Sequence, residues 1–449
     1  MRIFSFVAPL LAGVAFGIIT LGAPVARADD QAPPAAPAAA PAAPAAPVPW
    51  LDSIKWSAYI ETGVTANFDS QAHGLNIGHL FTDREDQLLL NQASLIVERP
   101  TDPAQGFNLG FRLQTMFGSD ARYTHFLGEL DRSISTRDQM DIVEAHVDAH
   151  LPYWTDGGMD LKLGQFVTLL GAETIDPRTN YFYTHSYIFN YGLPLKDTGA
   201  MLVTHASPLV DIYTGLITGV NTSFGPGGDN NGAVAFEGGI GLNFSDSLTL
   251  LATTNIGPEN ACTPGIPEPY HCNSAFRYFG DVVLTWKVDD KLTSITELNI
   301  VHDDGPEFAP DTTTGKKIKP YAGGIAEYLV YNWTDEIAFV GRAEIFRDAN
   351  GFFVGAFPNQ LDFVNAETGK PNTSFFPAPG PTTYGALTFG INYHPPVPDI
   401  FKGLVIRPEI RIDDALSGPA PFNPKLKAGF MVGTRRSQET AAIDLILPF

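Results

Sequence analysis

Charged residues spaced two apart are the first candidates for chemistry. Arg342 and Glu344 form one such pair, and Arg407, Glu409, Arg411 and Asp413 form a run of four. Glu144, His146, Asp148 and His150 form another run. Residues two apart share one face of an extended strand, about 7 Å from each other. Rows of both signs facing a narrow space create a transverse field that orients polar solutes and sorts ions. On a wetted wall they also simply neutralise one another. Metal ligation fits the Glu144 row poorly, because His146 and His150 are too far apart along a strand to converge on one ion. No metal and no cofactor is expected. Signatures of catalysis are missing too: the chain has no Gly-x-Ser-x-Gly elbow, phosphate loop or Gly-x-Gly-x-x-Gly, and no Cys-x-x-Cys-His. An enzyme is not expected.

The elements that would position these charges read as strands. Trp56, Ala58, Ile60, Thr62, Val64, Ala66 and Phe68 fall on one face, with Lys55, Ser57, Tyr59, Glu61, Thr65 and Asn67 on the other. Phe107, Leu109, Phe111, Leu113 and Phe117 alternate with Asn108, Arg112 and Gln114. Val143, Ala145, Val147 and Ala149 alternate with the Glu144 row. The pattern places strands near 54–68, 91–100, 106–117, 139–150, 158–168, 197–206, 209–221, 233–244, 247–256, 276–288, 291–303, 319–332, 335–347, 382–394, 402–414 and 437–449. Gaps between them alternate long and short, the rhythm of outer loops and periplasmic turns in a membrane barrel. Residues 424–434 also alternate. Counting them would make an odd number, so they are assigned to the last outer loop. The expected fold is all-β: a transmembrane antiparallel up-and-down β-barrel of about 16 strands, with 14 or 18 as alternatives. Apolar faces then meet lipid, and Arg112, Glu144, His146, Asp148, Arg342, Glu344, Arg407, Glu409 and Arg411 line the interior. Trp50, Trp56, Tyr153, Trp154, Tyr331, Trp333 and Tyr393 suit two interfacial girdles.

Composition and termini agree. An apolar stretch from Ile3 to Val25 follows Arg2 and ends in Ala26-Arg27-Ala28, which reads as a secretory signal over 1–28. Residues 29–53 are rich in Ala and Pro and read as a disordered periplasmic linker, leaving 54–449 for the barrel. No later run reaches the roughly 18 apolar residues of a spanning helix, yet 44% of the chain is hydrophobic. A closed barrel reconciles the two facts. Without Arg2 and Arg27 the chain holds 26 basic residues against 49 acidic, which disfavours nucleic acid as a partner. Cys262 and Cys272 are the two cysteines, and in an exported chain they are expected to pair as a disulfide. The connection 169–196 lacks period-two polarity and is rich in Tyr and Phe. With Glu173, Asp176, Arg178 and His185 it is the candidate constriction loop.

That connection also carries a likeness. Gly171, Glu173, Asn180, Phe182, Tyr183, Tyr187, Phe189 and Pro194 precede Thr198-Gly199, which restarts a strand. With Arg342, Glu344, Asp348-Ala349-Asn350-Gly351, Arg407-Pro408-Glu409, Arg411 and Asp413, this resembles the OmpL-like β-barrel porin family, also called porin-2, over about 54–449. The family usually has Ser-Arg after the aromatic run, where this chain has Thr184-His185, so positive charge there depends on pH. The resemblance implies a passive pore in the bacterial outer membrane, with lipid, lipopolysaccharide and small polar solutes as partners. It implies that barrel assembly machinery reads the terminal Phe449. Homo-oligomers stay open, since no segment marks a subunit interface. The alternative is a non-conducting barrel whose outer loops bind partners.

Overall fold

The computed structural model describes residues 50–69, 74–126, 129–130, 137–224, 228–229, 231–259, 273, 275–304, 319–354, 380–423, 425–427 and 430–449. The signal, most of the linker and both cysteines lie outside the described residues.

Strands dominate. In chain order they are β1 (Lys55–Asn67), β2 (Leu88–Arg99), β3 (Asn108–Gly118), β4 (Gln139–Leu151), β5 (Met159–Val167) and β6 (Lys196–Ser207). Next come β7 (Val210–Ile217), β8 (Ala235–Ser245), β9 (Leu248–Pro258), β10 (Phe276–Lys287), β11 (Leu292–Asp303) and β12 (Tyr321–Asn332). The last are β13 (Ile337–Asp348), β14 (Thr382–Tyr393), β15 (Val405–Ser417), β16 (Lys425–Lys427), β17 (Phe430–Val432) and β18 (Ser437–Pro448). β16 and β17 pair with each other in the last long connection, apart from the wall, as expected for 424–434. The other sixteen pair antiparallel in sequence order and close on themselves between β1 and β18. Ile60 faces Leu447 and Val64 faces Ile443 across that seam. Phe449 N–H donates to Ala58 O at 2.7 Å, so the terminal residue itself completes the seam. Closure leaves no strand edge for lipid to meet.

Period two decides which face is greasy. Ile60, Leu113, Val147, Leu298, Ile345, Phe389 and Ile410 are exposed on the outside, while Glu61, Gln114, His146, Asn299, Glu344, Thr388 and Glu409 turn inward and are buried. Midway along β12, Glu327 faces lipid, where the hydroxyls of Ser294 and Thr296 each donate to it at 2.5 Å. Register shifts break the alternation at several places, and two of them add inward side chains. One sits opposite Gln114 and Thr115 and turns Val143 into the interior beside Glu144. The other lies on β2 opposite Glu61 and Thr62 and lets Asn91 and Gln92 both point inward, where each donates to Asp120 at 3.0 Å. The expected girdle aromatics all sit at the short-turn end. At the opposite rim Phe68, Tyr278 and Tyr321 are exposed instead.

Candidate functional site

The connection 168–195, called L3 below, runs inside the barrel. Carboxylates of the wall hold its backbone. Leu169 N–H donates to Glu237 of β8 (2.9 Å), Gly171 N–H to Asp281 of β10 (3.1 Å) and Ala172 N–H to Glu297 of β11 (3.1 Å). Farther along, Tyr183 N–H donates to Glu409 of β15 (2.8 Å) and Tyr187 N–H to Glu344 of β13 (2.7 Å). Arg407 answers from the same side of the wall, donating to the carbonyls of Pro177 (3.0 Å) and Asn180 (2.7 Å). Asn299 donates to Gly192 O at 3.1 Å, and a Cβ at Gly192 would lie 2.3 Å from the Asn299 amide oxygen, so any other residue there would push that amide aside. Hydrogen bonds to charged groups contribute about 1.5–3 kcal/mol each, so the set fixes the path of L3.

This path decides where the expected site residues lie. Arg342, Glu344, Arg407, Glu409 and Arg411 face inward, but L3 covers them and all are buried. Arg342 pairs with Glu173 of L3 (2.7 Å), Arg407 with Asp444 (2.5 Å) and Glu61 (3.1 Å), and Arg411 with Asp413 (2.8 Å) and Glu344 (3.2 Å). Of the loop residues, Glu173 and His185 meet, with His185 Nδ1 2.8 Å from the carboxylate and the ring stacked on Phe189. Asp176 caps a 3₁₀ turn at Pro177–Thr179 and pairs with Arg178 at 2.6 Å, half-exposed, with the Arg178 guanidinium 4.4 Å from the Tyr59 ring centroid.

Burial alone would push the Glu173 carboxyl up. The Arg342 guanidinium, the His185 ring and the Ser186 N–H outweigh burial and hold it down to about 2. A group depressed in the folded chain takes up its proton more readily when unfolded. Its stabilisation is complete above the ordinary value of 4.5 and is lost as pH falls through about 2. Thermal unfolding in detergent should therefore show a falling midpoint across that window. Glu173→Gln should flatten this part of the profile, and an unaltered profile would remove Glu173 as its source.

Two further connections turn inward, although the sequence reading had them as outer loops. In the first, Leu75, Leu80, Phe81 and Asp83 are buried, and His79 Nε2 lies 2.9 Å from Asp413. In the second, the one-turn helix α1 (Ala121–Thr124) brings Arg122 to Asp83 in a two-pronged pair at 2.8 and 3.0 Å. With L3 they pack Phe81, Tyr123, Phe182, Tyr187 and Phe189 into one apolar cluster inside the barrel.

The sector from β2 to β8 is open at its short-turn end. A cavity of about 580 Å3 reaches in from the short-turn side, roofed by Thr168 and Leu169. Expected residues Arg112, Glu144, His146 and Asp148 line it, together with Glu98, Asp160, Lys162 and Glu237 and the apolar Phe166, Met201, Val203 and Tyr213. Arg112 bonds Glu98 and Glu144. His146 lies 3.1 Å from Asp148 and 3.5 Å from Glu144. Sequence reasoning missed Asp160 and Lys162, although they alternate with Leu161 and Leu163. It also missed Glu237 and Asp281, each the lone acid of its strand, and Glu297, in the middle of β11.

Sixteen antiparallel strands closed into a barrel, with a long connection folded into the interior, define a porin-type outer-membrane barrel. Similar solved structures share the architecture. The anion-selective porin from Comamonas acidovorans is 9% identical, with a TM-score of 0.55 over 88% of this chain and 99% of its own. Pseudomonas putida OprB is 12% identical, with 0.52 over 89% and 95%. The outer membrane channel DcaP of Acinetobacter baumannii is 10% identical, with 0.51 over 88% and 97%. No curated protein matches the chain. The chain belongs to the family described as "Putative beta-barrel porin-2, OmpL-like", whose model matches residues 53–449. It is a porin of the bacterial outer membrane, a passive channel by family and fold.

Proposed function

We propose that this porin passes small hydrophilic solutes by diffusion past L3, with a preference for cations and no chemical step. The observation that carries this reading is the balance of charge in the open cavity. Glu98, Glu144, Asp148, Asp160 and Glu237 face it against Arg112, Lys162 and the titratable His146. Three other arginines of the wall, Arg342, Arg407 and Arg411, are covered by L3 and cannot offset that surplus. A wall of one dominant sign raises the local concentration of counter-ions in a narrow lumen. In planar bilayers under a potassium chloride gradient, the reversal potential should take the sign of cation selectivity. The opposite sign would end the reading.

The rest of the chain fits export and anchoring. Residues 1–28 act as the export signal and 29–53 as a periplasmic linker. Phe449, bonded to Ala58 at the seam, is the end that barrel assembly machinery reads. Lipopolysaccharide surrounds the outer rim, and Cys262 and Cys272 staple the loop between β9 and β10. The dense packing of the first three long connections favours a second reading, a barrel closed at rest. Purified protein that admits neither ions nor sugars into liposomes would select it.

A further inference from the structure

One cation in the open cavity is uncommitted. Lys162 makes no ion pair among the described residues; its ammonium lies 5.7 Å from the centroid of the Phe166 ring. Directly opposite it on the neighbouring strand stands Asp148. One Asp148 oxygen is 3.1 Å from His146 Nδ1, and the other makes no hydrogen bond among the described residues. Lys162 and Asp148 thus stand opposite each other on adjacent strands, with Cβ atoms about 5 Å apart, without their charges closing into an ion pair.

Beside this pair lies an apolar shelf. The row that holds Asp148 and Lys162 continues to Met201 of β6 and Gly215 of β7. A Cβ at Gly215 would come within 2.7 Å of the Met201 methyl, so the glycine lets that side chain lie flat on the wall. The next row toward the short turns pairs Val203 with Tyr213. Phe166, Met201, Val203 and Tyr213 all face the cavity.

We propose that this wall is a binding station for small zwitterions with an apolar side chain, the class of apolar and aromatic α-amino acids. The proposal rests on the channel reading above and names the solute that this part of the channel holds. The carboxylate meets Lys162, the ammonium meets the free oxygen of Asp148, and the side chain lies on the Met201–Tyr213 shelf. The surrounding charges select the zwitterion over its relatives. A simple carboxylate with the same apolar body is repelled by Glu144 and Glu237. A simple amine suits the acidic surplus but leaves Lys162 without a partner. A zwitterion carries no net charge against either, while an uncharged analogue leaves Lys162 and Asp148 without partners.

The full-length protein in planar bilayers tests this. L-phenylalanine, added to either chamber, should block the open-channel current saturably. 3-Phenylpropionate and 2-phenylethylamine, each lacking one charge, should need roughly tenfold more for half-block, as should glycine, which lacks the apolar body. Lys162→Gln and Asp148→Asn should each raise the half-blocking concentration of phenylalanine about tenfold. Phenylpropionate or phenylethylamine matching phenylalanine on the unmodified protein would overturn the site, and so would a conducting channel with no saturable block. Those comparisons need no variant to fold. A barrel that conducts nothing would overturn the channel reading itself, and this site with it.

Discussion

Excision of residues 174–190 should raise single-channel conductance at least about twofold, with cation preference retained. Sixteen-strand barrels of this type leave an aqueous channel unless something fills it, and here L3 lies across the interior between β8 and β15. Its removal would uncover the wall from β13 round to β1. That wall bears Arg342, Arg407 and Arg411, but also Glu61, Glu344, Glu409, Asp413 and Asp444. Acids therefore still outnumber bases in the widened lumen, so the reversal potential should keep its sign while shrinking toward zero as the pore widens. Planar-bilayer recording gives both quantities at once. Conductance equal to that of the intact chain would mean that L3 is not the narrowing.

Arg407→Met should cost about 3–5 kcal/mol of stability, the usual range when one partner of a buried ion pair is removed. The guanidinium is buried among Asp444, Glu61 and two carbonyls of L3. Its loss leaves two carboxylates facing each other without a cation and releases the Pro177–Asn180 segment. A urea midpoint in detergent and the temperature of the gel-mobility shift should both fall, and current noise should rise as L3 loosens. Arg178→Met is the matched comparison. Its pair with Asp176 is half-exposed, and such pairs contribute about 0–1 kcal/mol. Equal losses in the two variants would refute the claim that burial under L3 sets the cost.

The barrel was legible because its signal is repeated. Each strand restates the same alternation, and all sixteen wall strands match the expected segments, down to the setting aside of 424–434. Single departures were not legible. Val143 reads as one more lipid-facing residue, and only the extra residue of the bulge turns it inward. The site was legible by half. Alternation places Arg407 and Glu409 on the inner face but carries no information about what lies on top of them. The covering comes from contacts hundreds of residues apart, such as Tyr183 to Glu409. A partial signal did exist for the first connection: Leu75, Ile77, Leu80 and Phe81 are too apolar for a solvated outer loop. Lone acids in apolar strands, such as Asp281, were a further hint, since an inward carboxylate without a basic neighbour needs a donor from elsewhere.

The wall carboxylates grip L3 mainly through its peptide N–H groups, with the Thr168 and Thr184 hydroxyls as the side-chain donors. A rack of that kind is indifferent to what hangs from it. Relatives could exchange the side chains that project into free space and so change their diet without redesigning the route of the loop. An engineer could do likewise at the exposed positions Thr174, Arg178 and Thr179, whose seat is already cut into the surrounding cylinder.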